Sequence, residues 1–280
     1  MLTADQRADP DGLFGQIFPG EDFRFHLTLK PGDLRRFFAP TAEQDPILAE
    51  RRKWLRQDPD RYAACTEQGE SLVTQFFSLA NSWLPIQIPS QHAAIADLVE
   101  LGGRLEPDFL LLARDHAGAF RLRAGLVCFP SSWNLAEKIG ATLDEIHGPV
   151  PGLNSELGPS IGRFLARLKA DTSFERVNWG LAATPELNLH PSLFRPRLAQ
   201  PFDLSRTWLR VEEQIVHCLP ESCAILFGIK VKVIPLAEVL KNPLARAGLH
   251  QAVATMPTAV AAYKGIGAVR GDLLAASALT

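Results

Sequence analysis

The chain has 280 residues, of which 46% are hydrophobic and 21% are charged, and its formal net charge at pH 7 is −2. This composition predicts a globular protein with a sizeable core, and the balanced charge argues against a nucleic-acid or membrane partner. No apolar run approaches the ~20 residues of a membrane span, and the N-terminus lacks the basic and apolar regions of a secretory signal. We therefore expect a cytoplasmic protein.

The cysteines are scattered through the chain, with no C-x-x-C pair and no histidine at metal-ligand spacing beside them: Cys65, Cys128, Cys218 and Cys223. A zinc or iron–sulfur site made by this chain alone is therefore not expected. Reduced thiols are the ordinary state of such cysteines in the cytoplasm.

Residues 1–100 are predicted to form a loop- and helix-rich segment that wraps over a core formed later in the chain. Prolines interrupt residues 1–60 repeatedly, which is typical of loops. Apolar residues at helical intervals then predict helices over 71–83 and 91–101.

Alternating or continuous apolar runs predict five strands after the N-terminal segment. Strands at 109–114 and 120–129 are joined by a short turn and form a hairpin. Three further strands are predicted at 174–184, 208–219 and 224–234. Strands grouped in this way favour one antiparallel sheet with helices against it, an α+β fold.

Two helical regions accompany these strands. A helix is predicted over 159–169, with Pro159 at its first position, where proline is tolerated. The tail, residues 236–280, is predicted to be helical, with breaks at 256–257 and 265–267, where proline and glycine occur.

The stretch 130–152 carries two helix-start signals. Asn134 with Glu137, and Thr142 with Glu145, each have the spacing of a capping box. Gly140 lies between the two pairs, so the stretch can form two short helices rather than one.

His147 is predicted to be the last helical residue of this stretch, because Gly148 and Pro149 stop the helix. It lies one turn beyond Leu143 and therefore faces inward. An imidazole held there can be aimed at a metal or a haem iron. The alternative is a core histidine that hydrogen-bonds to a backbone carbonyl.

Two of the later strands each present a polar face. The residues of these faces are Arg176, Asn178 and Gly180 on one strand, and Arg210, Glu212 and Gln214 on the next. The faces can be the solvated side of a half-buried sheet. Alternatively they form a pocket wall, in which Arg176 or Arg210 holds an anionic group and Glu212 recognises a cation or relays protons. Gly180 and Gly228 would then let a flat ligand approach the sheet.

Several of these segments resemble a known family. The segments are F-P-S-S-W-N-L-A-E-K-I-G-A-T-L-D-E-I-H-G-P-V-P-G (129–152), R-V-N-W (176–179), L-R-V-E-E-Q (209–214), L-P-E-S-C-A-I-L-F-G-I-K (219–230) and Y-K-G (263–265). Together they resemble the family that contains the α subunit of haem-dependent oxidative N-demethylase (dimethylamine monooxygenase). The resemblance extends from about residue 105 onward and follows the family's order.

The resemblance implies a single PAS-like domain over residues 1–280, with an antiparallel sheet of about five strands, helices packed on one side and haem b between them. It implies that an N-methyl group is removed from a small alkylamine with O₂ and two electrons, releasing formaldehyde. The electrons come from NADPH through a separate flavin and iron–sulfur reductase subunit. Either a hetero- or a homo-oligomer is compatible with this arrangement.

The resemblance also assigns roles to residues. His147 becomes the axial ligand of the haem iron, and Lys138 becomes a partner of a propionate. The remaining cofactor-binding candidates are Arg176, Asn178 and Trp179, and the candidate catalytic residues are Arg210, Glu212 and Gln214. Glu212 is the residue expected to meet the substrate ammonium.

Two departures from the family pattern bear on the substrate and the docking surface. Glu213 occupies a position where the family usually has arginine, and residues 231–233 replace a more aromatic segment. The alternative function is a PAS-like sensor or binding module that holds haem or another flat ligand without turnover. A degenerate family member kept as a structural subunit is also open.

Overall fold

The computed structural model describes residues 10–84 and 87–278. The predictions for the N-terminal segment and the tail therefore fall partly outside the described residues, at 1–9, 85–86 and 279–280. Among the described helices, none combines the length and the apolarity that crossing a lipid bilayer requires.

The strands form one sheet in which every pairing is antiparallel. They are β1 (Lys30–Pro31), β2 (Ala63–Cys65), β3 (Asp108–Arg114), β4 (Phe120–Leu126), β5 (Ser173–Ala182), β6 (Trp208–Cys218) and β7 (Ile225–Pro235), in the spatial order β1-β5-β6-β7-β3-β4-β2. The predicted α+β fold and the five long strands are confirmed. The expected count of about five strands was too low, because the sheet has seven. The two additional strands, β1 and β2, lie at its edges and have two and three residues, too few to show an alternation.

The helices of the described chain are short to medium in length. They are α1 (Pro10–Ile17), α2 (Leu34–Phe38), α3 (Gln44–Gln57), α4 (Pro59–Tyr62), α5 (Glu70–Asn81), α6 (Ala94–Gly102), α7 (Leu143–His147), α8 (Leu153–Arg167), α9 (Leu236–Val239), α10 (Pro243–Thr255), α11 (Thr258–Tyr263) and α12 (Arg270–Ser277). The predicted helices α5 and α6 and the helical tail with its two breaks are confirmed.

Helix α8 begins six residues earlier than predicted, so the assignment of Pro159 to the first helical position was wrong. Pro159 lies inside the helix, which begins after Gly152 in a left-handed conformation (φ 81°). The missing N–H of Pro159 leaves one main-chain carbonyl without its usual helical donor. The apolar residues of the second half pack on the sheet and hold the helix across this defect, Leu165 being the buried one.

Helices cover both faces of the sheet, whereas the family resemblance implied one covered side. On one face, Leu135 and Leu165 pack with Leu122 and Val216 below the stretch that carries α7 and α8. On the opposite face, α2 and α5 pack at one end, and the C-terminal helices α9 to α12 pack at the other. The first of these faces positions the candidate site.

The register of β5 against β6 brings the two predicted polar faces together. Arg176 is opposite Gln214, Asn178 is opposite Glu212, and Gly180 is opposite Arg210. Since side chains alternate across a strand, these residues all project from the face that α7 and α8 cover. The polar side of the sheet is therefore covered by helices.

Candidate functional site

A cavity of about 590 Å³ lies between the polar face of the sheet and helices α7 and α8. Ligand-binding cavities commonly enclose ~300–1,000 Å³, so this one has room for a cofactor-sized molecule. Residues 23–29, which have no regular secondary structure, form a further part of its wall. Much of the remaining wall is apolar, with Leu110, Leu112, Ile146, Leu157, Ile161 and Phe227 among its members.

The local sequence fixes the helix that carries His147. Asn134 caps a single 3₁₀ turn by accepting from Ala136 N at 3.0 Å, and Gly140 (φ 80°) then redirects the chain. Thr142 and Glu145 form the predicted capping box, in which Glu145 N donates to Thr142 Oγ1 at 3.2 Å and Thr142 N donates to the Glu145 carboxylate at 2.7 Å. Helix α7 therefore begins and ends within five residues.

The His147 imidazole lines the cavity as the last residue of α7. No hydrogen bond to its ring nitrogens is found among the described residues, so the structure gives no support to the alternative of a carbonyl-bonded core histidine. Burial lowers its pKa from the ordinary value, the nearby Asp144 opposes this, and Arg176 and Lys138 lower it further. A lowered pKa favours the neutral ring, which is the form that binds a metal.

Arg176 reaches the same cavity from β5. Its Nε is buried and has no hydrogen-bond partner among the described residues. Burial lowers the pKa of this guanidinium, and Glu212 partly offsets the effect. A buried donor without a partner is costly, so this side chain is suited to an anionic ligand. Lys138, which follows the 3₁₀ turn, adds a second positive charge to the wall.

Glu212 is held by three donors on the cavity wall. Gln214 Nε2 donates to Glu212 Oε2 at 2.9 Å, and Asn178 Nδ2 donates to the same oxygen at 3.3 Å. The other oxygen, Oε1, accepts a short hydrogen bond from the Ser131 hydroxyl. The predicted residues Asn178, Glu212 and Gln214 therefore form one network that orients a carboxylate in the cavity.

The cavity wall does not include Arg210, which was predicted as a catalytic residue. This side chain is buried, and it donates from Nε to Ser131 Oγ at 2.8 Å and from Nη2 to the Phe129 carbonyl at 2.7 Å. Burial lowers its pKa to about 10, with Glu212 opposing. Arg210 is thus linked to the cavity wall through Ser131, which also bonds to Glu212.

Trp179 lies on the opposite face of β5 from Arg176 and Asn178, yet it reaches the cavity at the sheet edge. Its ring packs edge-on against Phe18, with 5.1 Å between the ring centroids. Gly180 has open space where a side chain would project, but it does not line the cavity, so its expected role beside a flat ligand stays a prediction. At Gly228 the prediction was wrong, because a Cβ there would collide with Phe37 and Ile215 on the far face.

Three residues of the site were not singled out from the sequence. Ser131 bridges Arg210 and Glu212, and Lys264 reaches the cavity from the C-terminal helices. His26 lines the cavity from the N-terminal segment, with Nδ1 bonded to the Thr28 hydroxyl. Only Lys264 carried a signal, as part of the Y-K-G segment. The other two carried none, because nothing local marks a serine or histidine in a loop.

The two departures from the family pattern lie together and away from the cavity. Lys232 Nζ donates to the Glu213 carboxylate at 2.8 Å, and both side chains project from the other face of the sheet. Neither residue lines the cavity. Glu213 and Lys232 therefore form an ion pair outside the cavity.

The donor set suits a haem better than a bare metal ion. Within the described ranges, no three histidine, cysteine, aspartate or glutamate side chains are grouped as ligands for an ion. A haem iron receives its equatorial ligands from the macrocycle and needs one protein imidazole, as His147 offers. The apolar walls and the two cations also match the flat ring and its carboxylates.

The chain was also compared with known protein families. A family model described as haem-dependent oxidative N-demethylase, alpha subunit-like, matches residues 35–274. The match includes His147, Arg176, Glu212 and Lys264, and it leaves out the cavity-lining residues 23–29.

Proposed function

The chain belongs to the haem-dependent oxidative N-demethylase, alpha subunit-like, family, and on this premise we propose that it binds haem b and removes an N-methyl group from a small alkylamine. The overall reaction balances as R₂N–CH₃ + O₂ + 2 e⁻ + 2 H⁺ → R₂NH + CH₂O + H₂O. One oxygen atom leaves in formaldehyde and the other in water. The carbon of the methyl group is oxidised and O₂ is reduced.

One observation carries the proposal: a histidine imidazole and a guanidinium with an unpartnered buried nitrogen face one largely apolar cavity. The His147 imidazole can ligate an iron, and the Arg176 guanidinium suits an anion. Haem b presents both an iron and carboxylates on a flat apolar body. Lys138, whose charge also acts on His147, would hold the second propionate.

When bound, the haem supplies the activation of O₂ by a redox-active iron. The chain's own residues bind and orient the amine. Glu212 accepts from the substrate ammonium, with its carboxylate held in place by Gln214, Asn178 and Ser131. The apolar wall excludes water, which strengthens this charge pair.

The strand order and the free cysteines are compatible with the same proposal. Taken in chain order, the five long strands lie in the spatial order second, first, fifth, fourth, third, and we regard this as the PAS-like sheet of a single domain. The electrons would come from NADPH through a separate flavin and iron–sulfur reductase subunit. The four free thiols are compatible with the cytoplasm, where we place the protein.

The test begins with protein expressed with a haem precursor. We expect a Soret band, its loss or marked shift in His147→Ala, and an unchanged spectrum in His116→Ala, which alters an exposed histidine in a turn. Addition of reductant, O₂ and dimethylamine should then give formaldehyde. Absence of haem binding would refute the proposal, and haem binding without formaldehyde from any small methylated amine would favour a sensor.

A further inference from the structure

Lys264 brings a positive charge to the cavity from the far end of the chain. Its backbone N donates to Val260 O at 2.8 Å, and Gly265 follows in a left-handed conformation (φ 71°), so the helix end is fixed. The Nζ donates to the Trp179 carbonyl at 2.7 Å and lies 5.1 Å from the centroid of the Trp179 ring. The residue keeps some solvent exposure, but its ammonium group is enclosed by protein.

The Lys264 ammonium has unused donors. An ammonium group carries three N–H donors, and within the described chain only the Trp179 carbonyl accepts from this one. Lys264 lines the cavity, so a ligand there can accept from the remaining two. A partly unpaired, enclosed cation is suited to a carboxylate.

Glu212 offers the opposite charge in the same cavity. Its carboxylate has about four acceptor positions, and Ser131, Asn178 and Gln214 occupy three. Glu212 raises the pKa of Lys264, but its described hydrogen bonds come from Ser131, Asn178 and Gln214, and the Lys264 Nζ donates to the Trp179 carbonyl. A small molecule with both charges can therefore bridge them.

The charges that act on Lys264 differ from those that act on His147, with Arg176 common to both. The charges that act on His147 are Asp144, Arg176 and Lys138, and Lys264 is not among them. The charges that act on Lys264 are Glu212 and Arg176. The lysine therefore shares the cavity with Glu212 and is electrostatically coupled to it, where the amine is proposed to bind.

We propose that the substrate is a small N-methylated amino acid, with its ammonium on Glu212 and its carboxylate on Lys264. This inference rests on the proposed function and narrows its substrate class from any small methylated amine to one that carries a carboxylate. Lys264 is then a specificity-determining residue. It discriminates because a ligand without the carboxylate leaves its two N–H donors unpaired.

The test uses the haem-loaded full chain and calorimetric titration with N-methylglycine, dimethylamine and acetate. We expect N-methylglycine to bind about 10- to 100-fold more tightly than either fragment, the usual range for a charged hydrogen-bonding partner. Lys264→Met should abolish that preference, measured as the ratio of N-methylglycine affinity to dimethylamine affinity, while leaving the Soret position unchanged. Glu212→Gln should weaken the binding of both N-methylglycine and dimethylamine. The ligand comparison on the unaltered chain needs no variant to fold.

The outcomes separate this inference from the function on which it rests. Haem binding with formaldehyde from dimethylamine, but no preference for N-methylglycine, would refute the substrate class and leave the proposed function standing. A Lys264→Met variant that loses haem and keeps the ligand preference would show that the lysine serves a propionate instead. Absence of haem binding in the unaltered chain would overturn both.

Discussion

The Arg210 guanidinium donates from Nε to the Ser131 hydroxyl at 2.8 Å, across 79 residues of sequence, and that hydroxyl in turn donates to Glu212. A buried cation that never reaches the cavity thus sets the direction of the serine proton. Arg210 and Glu212 belong to the same strand, β6. Arg210 therefore orients the Glu212 carboxylate, which is proposed to bind the amine, without lining the cavity itself.

Removal of the bridging hydroxyl should weaken amine binding and leave the haem unaffected. In Ser131→Ala, Glu212 Oε1 loses its one donor among the described residues, and we expect KM for the amine to rise by about tenfold, the effect of a hydrogen bond to a charged group. Ser132→Ala is the matched control, since Ser132 lines the cavity without a bond to Glu212. Equal effects of the two variants would contradict the bridging role.

Arg176 is expected to determine haem retention. Arg176→Met should reduce haem affinity about 10- to 100-fold, because the guanidinium is proposed to pair with a propionate. The Soret position should stay the same, since His147 is untouched. Arg163→Met on the exposed side of α8 is the control and should retain haem normally. The measurement is haem transfer to an apo-haemoprotein acceptor.

The preference for a carboxylated amine should depend on pH through Lys264. Burial lowers the pKa of this lysine to about 8, with Arg176 lowering it and Glu212 raising it; the neighbouring Tyr263 is half exposed. Below pH 8 the ammonium is charged and holds a carboxylate, and above pH 8 that charge is lost. We therefore expect the affinity ratio of N-methylglycine to dimethylamine to fall between pH 7 and 9. A ratio that is constant over this range would contradict the assignment.

The buried pair Arg51–Asp108 is expected to matter for stability. Arg51 Nη1 donates to Asp108 Oδ1 at 2.6 Å, and both side chains are almost fully buried. Arg51→Met leaves the Asp108 charge without its cation and should lower the free energy of unfolding by about 3–5 kcal/mol. Arg52→Met removes an exposed neighbour and should cost much less. Urea unfolding followed by circular dichroism measures both, and a similar loss in the two variants would refute the prediction.

The long strands could be predicted because each one carries an alternating or a continuous apolar run in its sequence. The ends of the strands were predicted less accurately where a tertiary contact ends the strand. The strand predicted over 120–129 ends at Leu126, since the N–H groups of Cys128 and Phe129 turn away and donate to the Asp108 carboxylate. The Asp108 carboxylate lies about twenty residues away in sequence, so no local sequence pattern predicts that the strand ends at Leu126.

Helix α3 was missed for a related reason. Its buried residues are Leu48, Arg51, Trp54 and Leu55, so an arginine completes the inward stripe. When a charged residue interrupts the helical spacing of apolar residues, the sequence pattern no longer indicates a helix with a buried face. The charge is tolerated only because Asp108 meets it from the sheet, which is a tertiary contact.

Some residues of the candidate site could be predicted from local sequence, and others depend on tertiary contacts. Arg176, Asn178, Glu212 and Gln214 could be predicted to share a face, because alternation along neighbouring strands is local. Ser131 and Lys264 depend on how distant segments meet. Trp179 reaches the cavity from the wrong face only because β5 is near the edge of the sheet, with β1 paired to it at residues 174–175 alone.

The contact between Lys264 and the Trp179 carbonyl also bears on self-association. Beyond Glu175, the outer rim of β5 has no neighbouring strand in the described structure, and such a rim can recruit a strand from another molecule. A charged lysine bound to one of its carbonyls is expected to hinder that recruitment. The ammonium proposed to select a ligand would then also oppose strand-mediated self-association.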